Sequence, residues 1–207
     1  MTDYGRLITL EGGEGAGKST QARHVRDWLV ARGRKVTLTR EPGGSPLAEK
    51  IREVVLQDWA EGVSPQTELL LMFAARAAHL QALIEPALAA GQDVVCDRFV
   101  DSSYAYQGGG KGVAETHLQA LERFVLGDLK PTLTLVLDLD PASGLQRARQ
   151  RGEVNRFEEH DLAFALRVRN TFLARAARDP GRCAVIDAGV GIDQVRSQIE
   201  TVLEQRL

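Results

Sequence analysis

An apolar run, a glycine-rich octapeptide and a helical pattern follow one another without a break near the start of the chain. Leu7–Leu10 is typical of a short buried strand, and Gly12–Ser19 has the sequence GGEGAGKS. Downstream, Ala22, Val25 and Leu29 recur at helical spacing. The octapeptide fits G-x-x-x-x-G-K-[ST], in which glycines let the backbone wrap round a phosphate. This order constrains the fold strongly, because it places a phosphate-binding loop (P-loop) at a helix N-terminus.

The loop and the first turn of the following helix are the expected ATP site. Lys18 would place a positive charge beside the β- and γ-phosphates, and the Ser19 hydroxyl would bind a magnesium ion. The residues predicted to bind ATP are Gly12, Gly13, Glu14, Gly15, Ala16, Gly17, Lys18, Ser19 and Thr20. A chance glycine-rich turn is the alternative, and the flanking strand and helix both count against it.

Four further strand-like runs alternate with helical patterns. They are Val36–Thr39, Val94–Asp97, Thr134–Asp138 and Ala184–Asp187. Near-continuous apolar strands separated by helices predict a parallel sheet covered on both faces. We therefore expect an α/β protein with a P-loop NTPase-like, three-layer fold. A length of 207 residues without linker or repeat predicts one domain over residues 1–207.

Bulk composition disfavours several other classes of protein. The net charge of −2 lacks the basic excess typical of nucleic-acid-binding proteins. No apolar run approaches about 20 residues without polar interruption, so we expect no membrane span. Residues 1–6 lead directly into the first strand, which leaves no room for a signal peptide. Cys96 and Cys183 lie in strand-like runs, which favours small buried thiols in a reducing cytoplasm.

Three groups of charged residues call for a ligand or an internal partner. Arg76 is the one fixed charge in the apolar helical segment Leu69–Ile84; it would need a planar polar ligand or a buried carboxylate. Asp97 and Arg98 end a buried strand, where ligands bind in open α/β sheets. Asp97 would hold magnesium and Arg98 a phosphate, with a structural ion pair as the alternative.

A third group, rich in arginine, follows the fourth strand. Arg147, Arg149 and Arg151 could close over a transferred phosphoryl group and neutralise its charge. The alternative is plain composition, because the chain has 21 Arg and only 5 Lys. The four histidines share no metal-like spacing, and no G-x-S-x-G nucleophile motif occurs.

Six segments, in order along the chain, resemble the bacterial thymidylate kinases. They are Glu11–Thr20 (EGGEGAGKST), Thr39–Gly44 (TREPGG), Phe73–Arg76 (FAAR), Asp97–Phe99 (DRF), Tyr104–Gly110 (YAYQGGG) and an arginine-rich segment ending at Asn155–Glu158 (NRFE). The second and fifth are far more specific than the P-loop. The resemblance implies transfer of the ATP γ-phosphoryl group to thymidine monophosphate (dTMP), giving the diphosphate (dTDP) for dTTP synthesis. It also implies a five-stranded parallel sheet, Mg²⁺, a homodimer, and a mobile lid at about residues 144–158.

The resemblance assigns roles to the acceptor-side residues. Arg52 and Arg98 would hold the acceptor phosphate, and Phe73 would stack on thymine while Arg76 reaches a base carbonyl. Ser103 and Gln107 lie where the family approaches the base edge, and Tyr106 lies where it crowds the sugar 2′ position. The residues implied in catalysis are Lys18, Arg98, Arg147, Arg149 and Arg151, with Ser19 and Asp97 for the metal.

Three positions differ from one branch of the family or from its usual pattern. One branch has an arginine in the P-loop where this chain has Glu14, and the branch that lacks it supplies catalytic arginines from the lid. Asn155 stands where the family usually has Asp. The stacking Phe is often four residues before the arginine, a position that here holds Met72, so we expect Phe73, on the same side of the helix, to face the base.

Two other functions are compatible with a P-loop. A kinase for another nucleoside monophosphate would share the P-loop and the phosphate-binding arginines. A nucleotide-dependent switch or partner-binding module would bind ATP with negligible turnover, but it leaves the Phe73/Arg76 helix without an evident purpose.

Overall fold

The computed structural model describes residues 4–150 and 161–207 and contains a five-stranded sheet. Its strands are β1 (Leu7–Gly12), β2 (Val36–Arg40), β3 (Asp93–Asp97), β4 (Leu133–Asp138) and β5 (Cys183–Asp187). The spatial order is β2-β3-β1-β4-β5, and every pairing is parallel. The five predicted strands and the parallel sheet are therefore confirmed, with ends shifted by one or two residues.

Helices connect the strands and cover the sheet. They are α1 (Lys18–Val30), α2 (Pro46–Leu56), α3 (Pro65–His79), α4 (Glu85–Ala89), α5 (Val100–Ser103), α6 (Glu115–Leu126), α7 (Pro141–Gln150), α8 (Leu162–Arg178) and α9 (Ile192–Arg206). A π-helical segment, Leu80–Ile84, joins α3 to α4, and a second, Tyr104–Gly110, follows α5.

Alternation along β1 divides the apolar core between the two faces of the sheet. Ile8 and Leu10 belong to a buried cluster that includes residues of α1 and α9. Leu7 belongs to a second cluster, formed with α3, α5 and α6. Every residue of β1 is buried, and its two polar side chains have partners: Thr9 is hydrogen-bonded to Thr134, and Glu11 accepts from the backbone N–H of Phe99. Cys96 and Cys183 are buried free thiols, as predicted.

The strand order brings the site segments together. β1 lies between β3 and β4, and Leu10 of β1 is in register with Asp97 at the end of β3. The glycine loop after β1 and the Asp97-Arg98 pair therefore leave the sheet at the same edge. Ligands bind at such an edge in open α/β sheets.

The run Pro65–Ala89 is long and apolar enough to cross a membrane by length and composition alone. In this structure, 44% of its apolar window is buried inside the fold, and Phe73 and Ile84 lie in the core. A core helix of a folded domain meets the same criterion, so the run alone is weak evidence for a membrane span.

Candidate functional site

The glycine loop after β1 turns into the N-terminus of α1. Gly12, Gly15 and Gly17 have φ angles of 139°, 71° and 87°, which favour glycine. A Cβ atom at Gly12 would lie 2.4 Å from the carbonyl oxygen of Leu137, so a larger residue would push the loop off β4. No side chain caps α1, and its first backbone N–H groups are available to an anion. The loop is thus arranged to bind phosphate.

Lys18 begins α1 and is buried, with 7% of the residue exposed. Its Nζ donates to the carbonyl oxygen of Gly13 at 2.7 Å. Burial, together with the positive charge of Arg98, lowers the pKa of Lys18 to about 8. Bound phosphates would oppose both effects and favour the charged ammonium.

Ser19 and Asp97 meet across the two strand ends. The Ser19 hydroxyl donates to Oδ2 of Asp97. Both are hard oxygen ligands, and Mg²⁺ typically takes one or two protein ligands while phosphates and water complete its octahedron. The donor set therefore fits the magnesium site that the sequence predicts. Among the residues described, no cluster of three or more His, Cys, Asp or Glu side chains could hold a metal on its own.

Arg98 is fixed against the glycine loop. Its φ is 70°, a left-handed conformation that is uncommon outside glycine. Its guanidinium donates to the Gly12 carbonyl oxygen at 3.1 Å and to Oε1 of Glu14 at 2.9 Å. Buried Glu11 anchors the following segment by accepting the backbone N–H of Phe99 at 2.8 Å. The strained backbone is thus held by several contacts.

Glu14 connects the glycine loop to the second π-helical segment. The Tyr106 hydroxyl donates to the same Oε1 at 2.9 Å, and the Arg98 guanidinium lies 4.9 Å from the Tyr106 ring centroid. Burial raises the pKa of Tyr106 well above its usual range, so the hydroxyl keeps its proton. Glu14 therefore places within the glycine loop a carboxylate that is paired with Arg98.

An open cavity of about 290 Å³ lies beside the loop, and one end of it is cationic. Lys18, Arg52 and Arg98 all line it. Arg52 is half-buried and donates to the carbonyl oxygen of Pro42 at 2.8 Å. Burial and the neighbouring charge of Arg40 lower the pKa of Arg52. This concentration of positive charge suits a phosphate group.

Arg76 lines the same cavity and is 3% exposed. Its Nε donates to Oε2 of Glu41 at 2.7 Å, and its terminal nitrogens donate to Oγ of Ser103 at 3.2 Å and to the Phe99 carbonyl oxygen at 3.0 Å. His79 lies 3.2 Å from the other Glu41 oxygen. The buried carboxylate partner that the sequence left open is therefore present. The guanidinium still borders the cavity with N–H groups to spare.

Phe73 does not line the cavity, contrary to the expectation that it faces the base. It is 2% exposed, belongs to the core cluster with Leu7, and lies beneath Arg76, whose guanidinium carbon is 4.7 Å from its ring centroid. Met72 borders the cavity instead. The reason is helical geometry: a step of one residue turns a side chain by about 100°, so Phe73 faces the sheet and Met72 faces the ligand space.

Ser103, Tyr106 and Gln107 all border the cavity. They come from the end of α5 and from the second π-helical segment, which bring their side chains to one side. Gln107 is 2% exposed and donates from Nε2 to Oε1 of Glu68 at 3.0 Å. The structure therefore unites Arg52, Arg76, Arg98 and these three residues around one space.

The arginine segment lies apart from this cavity where the structure describes it. Arg147 and Arg149 are exposed on α7. Arg147 donates to the Ala188 carbonyl oxygen at 3.3 Å, and Arg149 borders a separate shallow cavity with Asp161. Arg151 and Asn155, like most of the predicted lid, lie outside the described residues.

Sequence reasoning missed several cavity or supporting residues. Arg40, Glu41 and Pro42 border the cavity, and Glu68 supports Gln107 from behind. The TREPGG segment was a usable signal for the first three. Glu68 offered no signal, because one Glu in the first turn of a helix is typical of solvent-exposed residues.

Comparison with known proteins gives a consistent result. Residues 10–199 match the Thymidylate kinase family. The thymidylate kinase of Pseudomonas savastanoi pv. phaseolicola is 53% identical over 203 residues, covering 98% of this chain and 97% of that protein. That of Pseudomonas fluorescens (strain Pf0-1) is 54% identical with the same coverage. The crystal structure of thymidylate kinase from Ehrlichia chaffeensis matches with a TM-score of 0.81 and 32% identity, covering 97% of this chain and 99% of that one.

Proposed function

The chain belongs to the thymidylate kinase family, and from that premise we propose how its residues divide the work of moving a phosphoryl group from ATP to dTMP. The enzyme converts ATP and dTMP to ADP and dTDP. Phosphoryl transfer of this kind needs two polyanions held in line and their charge neutralised, and it needs little covalent chemistry from the protein. The site should therefore contain one phosphate cradle, one acceptor pocket and cations between them.

We place ATP on the glycine loop. The glycine backbone and the free N-terminus of α1 would surround the β- and γ-phosphates, and Lys18 would neutralise them. Residues Gly12 to Thr20 make up this donor site. The burial of Lys18 supports its role, because an ammonium group held away from water interacts more strongly with an anion.

We place dTMP in the cavity beside the loop. Arg52 and Arg98 would hold its phosphate at the cationic end, and Arg98 would also neutralise charge on the transferred group. Arg76, Ser103 and Gln107 would contact the base edge, and Tyr106 would crowd the 2′ position. The stacking role moves from Phe73 to Met72, whose thioether borders the cavity.

We further propose that Ser19 and Asp97 hold a magnesium ion. Bound there, Mg²⁺ would neutralise charge on the phosphate oxygens of ATP. The hydrogen bond between the two side chains holds both oxygens close together in the lining of the cavity.

The remaining catalytic charge is assigned to the lid. We propose that residues 1–207 form one nucleoside monophosphate kinase domain whose lid, at about 144–158, carries Arg147, Arg149 and Arg151 to the transferred phosphoryl. The carboxylate of Glu14 supports this assignment, since the loop supplies no arginine there. Arg149→Ala should lower kcat by more than it raises either KM. Unchanged kcat and KM in that variant would show the assignment to be wrong.

Two broader expectations complete the proposal. A homodimer follows from the family resemblance, and exposed Phe124 and Leu70 are apolar side chains that such an interface would cover. Light scattering of the purified protein would test it. The buried free thiols agree with a cytoplasmic location.

One observation carries the proposal: the glycine loop and the three arginines Arg52, Arg76 and Arg98 line a single cavity. A coupled assay of ADP release with a panel of nucleoside monophosphates tests it. We expect release to depend on the acceptor and to be fastest with dTMP. Equal turnover without an acceptor, or with every monophosphate, would contradict it.

A further inference from the structure

Gln107 is held in one orientation by a buried carboxylate. Glu68, in the first turn of α3, is fully buried, and its Oε1 lies 3.0 Å from Nε2 of Gln107. Its Oε2 accepts from Nζ of Lys111 at 2.8 Å. Glu68 thus forms an ion pair with Lys111, and a carboxylate in an ion pair only accepts hydrogen bonds. The amide of Gln107 must therefore turn its NH₂ group toward Glu68.

The opposite end of the same amide faces the cavity. Gln107 borders that space, and no described residue donates a hydrogen bond to its Oε1. Arg76 borders the cavity too, with its guanidinium held by Glu41 and Ser103. The cavity wall thus presents an acceptor from Gln107 and donors from Arg76. Both are buried, so an unmatched ligand group would lose hydrogen bonds to water.

This polarity distinguishes pyrimidines. Thymine and uracil present a carbonyl acceptor at position 4 and an N–H donor at position 3, which complement a donor and an acceptor respectively. Cytosine presents an amino donor at position 4 and a bare nitrogen acceptor at position 3, which is the reverse pattern. A site built to pair with one pattern rejects the other strongly, because its own buried groups are left unpaired.

We propose that Glu68, supported by Lys111, is a specificity-determining positioning residue that sets the hydrogen-bond polarity of the base site. It touches no substrate; it acts by fixing the amide of Gln107. The inference rests on the proposed placement of the base beside Gln107 and Arg76.

The test compares acceptors in the Glu68→Gln variant. A glutamine at position 68 can both donate and accept, so Gln107 becomes free to present either end. We expect the ratio of kcat/KM for dTMP to that for dCMP to fall by at least about tenfold. The ratio for dTMP to dUMP should stay within about twofold, because both bases present the same edge.

Glu122→Gln is the matched control. It makes the same chemical change at a carboxylate of α6 that accepts from the Tyr104 hydroxyl. Tyr104 belongs to the same π-helical segment as Gln107, but neither Tyr104 nor Glu122 lines the cavity. Neither ratio should change in this variant. If Glu68→Gln lowers kcat/KM equally for dTMP, dUMP and dCMP, Glu68 is merely structural and the proposal is wrong.

Lys111→Met keeps the test decisive if Glu68→Gln does not fold. Lys111 is only half-buried, and its loss removes the ammonium that holds Oε2 of Glu68, so the carboxylate no longer fixes the amide of Gln107 in one orientation. The dTMP-to-dCMP ratio should fall in this variant as well, and an unchanged ratio in a folded protein would overturn the proposal. A wild-type enzyme that does not prefer dTMP over other monophosphates would instead contradict the proposed function.

Discussion

The two halves of the cavity are built in different ways. The donor half, which we propose binds ATP, is one continuous segment, Gly12–Ser19, and offers mainly backbone N–H groups at a helix N-terminus. The acceptor half, which we propose binds dTMP, gathers side chains from α2, α3, the end of β3 and the second π-helical segment. There, the ligand-facing groups are also the groups that satisfy buried charge, as in the pair of Arg76 and Glu41. Binding and folding therefore share residues in the acceptor half, whereas the donor half keeps them largely separate.

Arg76→Met should expose this coupling most strongly. The substitution leaves the carboxylate of Glu41 buried without its cation, which costs about 3–5 kcal/mol in the free energy of unfolding. The KM for dTMP should rise while the KM for ATP stays unchanged. Denaturant unfolding and steady-state kinetics measure the two effects. Lys50→Met is the control, because its pair with Glu53 is exposed and contributes at most about 1 kcal/mol. Equal stability of the two variants would refute the comparison.

Lys18→Ala should lower activity without lowering stability, in contrast to Arg76→Met. Loss of one preorganised cation at the transferred group lowers kcat by about 10²- to 10³-fold. The melting temperature should not fall, because the substitution removes a buried charge rather than leaving one unpaired. Calorimetry and single-turnover kinetics check this. A large loss of stability would mean that the donor half is coupled to folding as well.

Phe73→Leu and Met72→Leu should distinguish a core position from a ligand-facing position on the same helix. Phe73 is buried beneath Arg76, so replacing its ring with the smaller leucine side chain should lower the free energy of unfolding by about 1–2 kcal/mol. Met72 borders the cavity, and its substitution should cost less than about 1 kcal/mol while changing the KM for dTMP. Chemical denaturation together with acceptor titration distinguishes them. The reverse pattern would return the stacking role to Phe73.

The pH dependence of ATP binding should report the burial of Lys18. Its pKa near 8 means that the ammonium is charged below pH 8 and increasingly neutral above it. Because only the charged form attracts phosphate, ATP should bind tightly below pH 8 and about tenfold more weakly at pH 9. Calorimetric titration at pH 7 and pH 9 measures this, with Lys18→Met as the control that loses the dependence. Parallel behaviour of both proteins would rule out Lys18 as the titrating group.

Much of the fold was predictable, because strands buried on both faces leave near-continuous apolar runs in the sequence. The glycine loop was predictable because Gly12–Ser19 is contiguous in sequence and its glycines adopt backbone angles that favour glycine. The direction in which the Phe73 side chain packs was not predictable. Two adjacent apolar residues on an apolar helix give no periodic signal for which one packs inward, and only the position of the sheet decides it.

The chain's own sequence determined the parallel sheet, the phosphate loop and the charges that gather at one edge, since each depends on local geometry or on strand periodicity. Tertiary structure alone decided the partners of the polar groups at that edge: Arg76 pairs with Glu41, Arg98 pairs with Glu14, and the Gln107 amide donates to Glu68. The partners lie 35, 84 and 39 residues apart along the chain. A buried polar group pairs with whichever partner the packing brings within about 3 Å, and the separation of two residues along the sequence does not indicate which partner that is.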